Sequence, residues 1–205
     1  MALRRYPPFA ISRTTVREAV SALERDGFLQ KIHGKGTFVT SHTVNEWLGT
    51  IKSFAETVQN MGMKPGIRLL GHGTGRDPEI CSILGISEYH SIERLRFADD
   101  EPVAIERTHY PIEIGLKLAA HDLNEVTIYS VLEFEGIILH SAEQKIIAAM
   151  PNNHDAKLLR LSPKTGVLVA KKVSSDPSGR IIEYYFSIFR PDKYALCVRM
   201  YRKSG

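Results

Sequence analysis

Cysteine is nearly absent from this 205-residue chain: Cys81 and Cys197 are the only two, and they lie far apart. That excludes a disulfide framework and a zinc-ligand spacing, and it points to a reducing, cytoplasmic setting. No apolar run of about 18 residues occurs, so no helix is expected to span a membrane. The opening MALRRYPPFA has two arginines but no apolar stretch behind them, which argues against a secretory signal. Signatures of catalysis are missing as well: there is no HExxH, no glycine-rich phosphate loop, no CxxC and no Ser/His/Asp spacing. The eight histidines are scattered, none in a recognisable metal motif. Neither a cofactor, a metal nor an enzymatic activity is expected.

Charge is present but unevenly placed. Residues 1–42 carry seven of the 27 Lys/Arg and three of the 23 Asp/Glu, an excess of +4. Residues 43–205 carry twenty of each and are neutral. A small basic nucleic-acid-binding segment joined to a larger neutral domain has this distribution, and so does a basic disordered arm. The length fits one ordinary domain and a small one.

Residues 12–27, SRTTVREAVSALERDG, read as one helix with Ser12 as N-cap and Gly27 as stop. Val16, Ala19, Val20 and Leu23 form its apolar stripe, and Arg13, Thr14 and Arg17 lie away from it. Residues 28–32 and 37–40 are extended around the turn His33-Gly34-Lys35-Gly36, which predicts a hairpin with a basic tip. A helix that reads DNA presents short polar and cationic groups from its first turns, and Ser12, Arg13, Thr14, Thr15 and Arg17 suit that task. The hairpin would be a wing, with Gly34 and Gly36 allowing close backbone approach and His33, Lys35 and Thr37 beside them. A capped surface helix and an ordinary hairpin turn would carry the same residues; the two together at this spacing favour DNA.

Residues 41–45 read as a linker and 47–61 as a second amphipathic helix, ended by Met-Gly-Met-Lys-Pro-Gly. Strand-like runs follow at 67–72, 91–98, 103–110, 141–149, 166–174, 181–189 and 194–201, with short helices at 78–84, 128–135 and 154–161. Turn signals at 98–102 and 176–179 make the sheet largely antiparallel, an α+β domain.

The stretch ISRTTVREAVSALERDGFLQKIHGKGTFV, residues 11–39, resembles the recognition helix and wing of GntR-family regulators. Family members carry further helices in front of it, so the resemblance implies a partial winged helix-turn-helix over residues 1–42. Residues 43–205 are similar to the UTRA effector domain of the HutC subfamily, on the strength of Ser53-Phe54, IERLRFADDEP at 92–102, Ile105-Glu106, Tyr110-Pro111, VTIYSVL at 126–132, Ile182-Glu183-Tyr184 and FRPDKY at 189–194. That resemblance implies a chorismate-lyase-like antiparallel sheet with peripheral helices. It also places Ser53, Phe54, Arg94, Arg96, Glu106, Thr127, Glu183 and Phe189 at effector-contact positions. Some sugar-phosphate-sensing members have a tyrosine where this chain has Phe189.

The residues themselves point the same way. Arg94 and Arg96 are two apart on a strand and share a face, so they repel unless an anion or a carboxylate joins them. Glu106 sits opposite Arg94 if the turn is Asp99-Asp100-Glu101, whereas a two-residue turn puts the pair on opposite faces. A surface ion-pair ladder is the competing reading. Thr127 can cap a helix whose first amides suit phosphate or carboxylate. Of the 181–189 strand, Ile182, Tyr184, Phe186 and Ile188 read as core, and the opposite face carries Glu183 among aromatics. The expected function is a homodimeric transcriptional regulator, a repressor, whose hold on double-stranded operator DNA is set by a small anionic metabolite, phosphorylated or carboxylated. The alternatives are an effector-binding protein with defective DNA binding and a chorismate-lyase-like enzyme.

Overall fold

The computed structural model describes residues 12–25, 29–34, 36–39 and 43–202. The chain divides into two compact units, Met1–His42 and Thr43–Gly205.

In the first unit, helix α1 (Arg13–Arg25) starts at Ser12, whose Oγ accepts from the Thr15 amide at 3.1 Å. None of its residues is buried, and its apolar stripe stands open, with Val16 50% and Leu23 42% exposed. Strands β1 (Leu29–Ile32) and β2 (Gly36–Val39) pair antiparallel, Leu29 opposite Val39. Gly34 and Gly36 have φ of 76° and 117°, a region open to glycine but strained for side-chain-bearing residues. Lys35 lies outside the described residues.

The second unit is built on a six-stranded antiparallel sheet. Its strands are β4 (Pro65–Gly75), β5 (Tyr89–Ala98), β6 (Glu101–Pro111), β7 (Ser141–Ala149), β8 (Val167–Ser175) and β9 (Ile181–Phe189), in the order β4-β5-β6-β9-β8-β7. A separate parallel pair joins β3 (Val44–Trp47) to β10 (Tyr194–Cys197). Helices α2 (Phe54–Asn60), α3 (Pro78–Leu84), α4 (Ile112–Ala119), α5 (Ile128–Phe134) and α6 (Asn153–Leu158) are peripheral. On one sheet face Leu95, Ile105, Val167, Val169 and Ile188 pack with Leu159 from the end of α6. On the other, Ile92 and Tyr110 pack with Ile114 and Leu118 of α4 and Ile128 and Leu132 of α5. Burying each such side chain contributes about 1.5–3 kcal/mol.

Three expectations are corrected. The helix expected over 47–61 is only α2; Val44–Trp47 is a strand, because it finds β10 as a partner, and Gly49 at φ 112° separates the two. Ser53 then restarts the chain with a capping box: its Oγ accepts from the Glu56 amide at 3.2 Å while the Glu56 carboxylate accepts from the Ser53 amide at 2.7 Å. Helix α4 was not anticipated. It lies so close on β5 that a Cβ at Gly115 would stand 2.1 Å from that of His90. The C-terminal strand stops at Cys197 rather than 201.

The turn between β5 and β6 decides the site. It has two residues, Asp99 and Asp100, both with positive φ (49° and 64°), as a two-residue hairpin of right-handed twist requires. Such a turn alone would set Arg94 opposite Ile105. The register shifts beyond Arg96, so that Phe97 faces Pro102 but Arg96 faces Ala104, leaving Val103 as an extra residue. This bulge turns β6 over by one position and brings Glu106 directly opposite Arg94.

Candidate functional site

Alternation along the strands puts Arg94 and Arg96 (β5), Glu106, Thr108 and Tyr110 (β6), Glu183, Tyr185 and Phe189 (β9), Ala170 and Lys172 (β8) and Gln144 (β7) on one face. With Glu46, Lys52, Ser53, Phe54, Thr57, Thr127, Ile128, Tyr129 and Tyr194 they line a single cavity. With its open mouth the hollow encloses about 580 Å³, but its free volume is about 30 Å³. That is room for about two waters. All eight effector positions expected from the sequence meet here.

The two arginines differ in their surroundings. Arg94 is committed to the protein: Nε donates to Glu106 Oε1 at 3.1 Å, Nη2 to the same oxygen, and Nη1 to the Val126 carbonyl at 3.3 Å. Burial pushes the Glu106 carboxyl up, but Arg94, and then Arg96, outweigh it and hold the group below the usual carboxylate range. Arg96 is 2% exposed, and its Nε and Nη1 have no hydrogen-bond partner. Its guanidinium lies 4.7 Å from the centre of the Phe54 ring. Burial, with Arg94 adding to it, pushes Arg96 down, and Glu106 opposes them only in part.

Glu183 is fully buried, with both carboxylate oxygens hydrogen-bonded. It accepts from Tyr110 Oη at 2.8 Å, Tyr129 Oη at 3.1 Å and Ser174 Oγ at 3.2 Å, and Lys172 Nζ stands 3.8 Å away. Lys172 Nζ donates to Tyr129 Oη at 2.6 Å and lies 4.6 Å over the Tyr185 ring. Burial and then Glu183 raise the Tyr110 and Tyr129 hydroxyls well above their ordinary range, so both remain proton donors. Among the buried charges of the cavity, Glu106 answers Arg94 and Glu183 answers Lys172. The Arg96 cation is left over.

The other expected residues have mixed surroundings. Ser53 keeps its hydroxyl on the Glu56 carboxylate, at 2.7 Å. Thr127 occupies the N-cap position of α5 without a side-chain cap hydrogen bond. Phe189 stacks on Tyr194 at 4.2 Å, and Tyr194 Oη donates to Glu46 Oε2 at 2.6 Å. Lys172, Tyr110, Tyr129 and Tyr185 were not singled out from the sequence. Of the two lysines in the run VLVAKKVSS, Lys172 falls on the face shared with Ala170 and Ser174, which is the signal the sequence offers.

In the first unit, Arg13, Thr14, Thr15 and Arg17 are exposed on the first two turns of α1, whose first turn has no acidic residue. His33, Gly34, Gly36 and Thr37 are exposed at the hairpin.

Known proteins match both units. The family described as bacterial regulatory proteins, gntR family, matches residues 8–39, and the UTRA domain matches residues 60–195. The chain is 34% identical to the HTH-type transcriptional repressor NagR of Bacillus subtilis (strain 168), across 96% of this chain and 82% of that protein. It is 27% identical to the mannosyl-D-glycerate transport/metabolism system repressor MngR of Escherichia coli (strain K12), across 96% and 84%. The crystal structure of PhnF from Mycobacterium smegmatis superposes with a TM-score of 0.75 at 25% identity, over 94% of this chain and 87% of that one.

Proposed function

The chain belongs to the gntR family of bacterial regulatory proteins, as a DNA-binding transcriptional regulator with a UTRA domain, and from that premise we propose that a small anion seated against Arg96 governs its hold on operator DNA. The observation that carries the proposal is the incompletely compensated guanidinium: a cation 2% exposed, with two N–H groups unpartnered, sharing Glu106 with Arg94 inside the cavity. A phosphate or carboxylate beside the guanidinium accepts from Nε or, on its other side, from Nη1, and adds negative charge. Arg94 and Glu106 hold each other and form the wall. Thr127, with its hydroxyl free of the helix cap, is a further donor to the anion. One relative is named for mannosyl-D-glycerate, whose glycerate is a carboxylate, in keeping with an anionic ligand.

The cavity is too tight to admit a metabolite as it stands. Seating one displaces its walls, and Glu46, Ser53 and Phe54 in those walls follow closely on the boundary between the units. Operator contact falls to α1 and the hairpin: Arg13 and Arg17 to bases and phosphate, Ser12, Thr14, Thr15 and Thr37 to phosphate, His33 and Lys35 at the wing. The regulator acts as a repressor in the cytoplasm and as a homodimer, since paired half-sites suit so small a reading unit. Edge strand β7 and its flanks supply the interface, with Phe134, Ile138, Ile146, Ile147 and Met150 all exposed. Thermal-shift measurement with inorganic phosphate tests the anion: it raises the melting temperature of the wild-type chain and leaves that of Arg96→Met unchanged.

A further inference from the structure

We infer that His72 and His90 form an acid-sensitive latch, which holds α4 on the sheet while both rings are neutral and releases it when the pair takes up a proton. The latch lies outside the anion cavity and does not depend on what binds there.

A bulge makes the pair. Strand β4 meets β5 with Leu69 opposite Arg94 but Gly71 opposite Glu93, leaving Leu70 as an extra residue. An unbroken register would set His72 opposite Ser91, on the other face of the sheet. The bulge sets it opposite Ile92 and so onto the face of His90. There the ring centroids are 5.4 Å apart, and His72 Nδ1 is 3.3 Å from His90 Nε2. His72 is exposed, whereas His90 is buried and its Nδ1 has no hydrogen-bond partner.

Those surroundings assign the protons. An N–H at His90 Nδ1 would be a buried donor without an acceptor, which costs more than a bare lone pair. The His90 proton therefore sits on Nε2 and is donated to His72 Nδ1. A proton added at His72 Nδ1 sets two N–H groups against each other. A proton added to His90 puts a charge and an orphan donor in the interior; burial, and then His72, hold this ring below the usual histidine range. The other neighbours give no relief. Thr74 of β4 and Tyr110 of β6 are its register partners, and the Tyr110 hydroxyl is committed to Glu183. On α4, Glu113 pairs with Arg180 and Lys117 with Glu135.

The cover over His90 is α4. A Cβ at Gly115 would collide with the His90 Cβ and stand 2.7 Å from its Cγ. Hydrating a charged His90 therefore requires this helix to lift. Ile114 and Leu118 of α4 pack with Ile128 and Leu132 of α5, so release of α4 loosens α5 as well. With α4 lifted His90 regains its ordinary proton affinity; with α4 seated that affinity is depressed. The latch is thus closed above about pH 6.5 and opens as pH falls below it.

The test is hydrogen exchange of the full chain, read by mass spectrometry on the α4 segment and corrected for the intrinsic pH dependence of exchange. One pH unit below the ordinary histidine value the lifted state gains about tenfold, so wild-type α4 should exchange about tenfold faster at about pH 5.5 than at about pH 7.5. His90→Phe, which keeps a ring under Gly115 but cannot titrate, should exchange alike at both. His109→Phe should keep the tenfold change, because His109 lies opposite Ser91 on the other face of the sheet. If His90→Phe does not fold, imidazole nitrogen NMR of the wild type decides: His90 must be neutral, with its proton on Nε2, wherever α4 is protected. Wild-type α4 exchange that ignores pH, a tenfold change kept by His90→Phe or lost in His109→Phe, or a His90 carrying Nδ1–H beneath a protected α4 overturns the inference.

Discussion

Replacing Arg96 by methionine should stabilise the empty protein and abolish its response to anions. Two guanidinium donors without partners, at 2% exposure, cost the fold about 1–3 kcal/mol each. Stacking on Phe54 at 4.7 Å returns about 2 kcal/mol. Methionine keeps the unbranched packing and removes both effects, for a net gain of roughly 2 kcal/mol. In a chain of this size that raises the melting temperature by about 4–8 °C. Arg94→Met should do the reverse, because it strands the Glu106 carboxylate in the interior and loses about 3–5 kcal/mol. Scanning fluorimetry in a buffer whose only small anion is chloride reads both variants. The same assay with phosphate should shift the wild type and leave Arg96→Met where it was. The reasoning is refuted if Arg96→Met melts below the wild type and phosphate still stabilises it.

Stability should also fall on acidification. Burial, and then the nearby Arg107, lower His109 to about 4 from an ordinary 6.5. The unfolded chain therefore binds this proton first, so stability is full above about pH 6.5 and is lost as pH falls toward 4, by about 3 kcal/mol at 1.36 kcal/mol per unit. His109→Phe, which keeps the stack on Tyr184, should remove most of that dependence in a urea titration at each pH; an unchanged profile would assign the loss elsewhere. DNA affinity should reside in residues 1–42 and fall steeply with salt. Arg13→Ala should relax base preference and Lys35→Ala weaken all sequences alike, and a fragment of residues 43–205 that bound DNA as well as the full chain would refute that placement. Ile147→Lys on edge strand β7 should turn a dimer into a monomer in light scattering, and an unaltered dimer would exclude that edge.

The cavity's membership was legible in the sequence where period-two alternation within one strand sufficed. Arg94 with Arg96, and Glu183 opposite the core face of β9, are local facts of spacing. The partnership of Arg94 with Glu106 was not decidable there, because it hung on the length of a turn. The turn proved short, and the bulge at Val103 restored the pairing that a short turn alone would have broken. Lys172 and Tyr129 are 43 residues apart and meet only through tertiary packing. The same applies to β3, whose amphipathic surroundings suggest a helix until β10, from the far end of the chain, pairs with it. The distinction between a committed Arg94 and an idle Arg96 has no sequence signature, since both are arginines on one face of one strand.

The most direct measurement of the central claim is fluorescence anisotropy of the full chain on a DNA duplex it has itself selected from a random pool, titrated with sorbitol 6-phosphate at constant ionic strength. The anion should change the DNA affinity of the wild-type chain and leave that of Arg96→Met unaltered, although both bind DNA equally well without it. An equal response in the two proteins, or none in the wild type to this or to inorganic phosphate, would contradict the account.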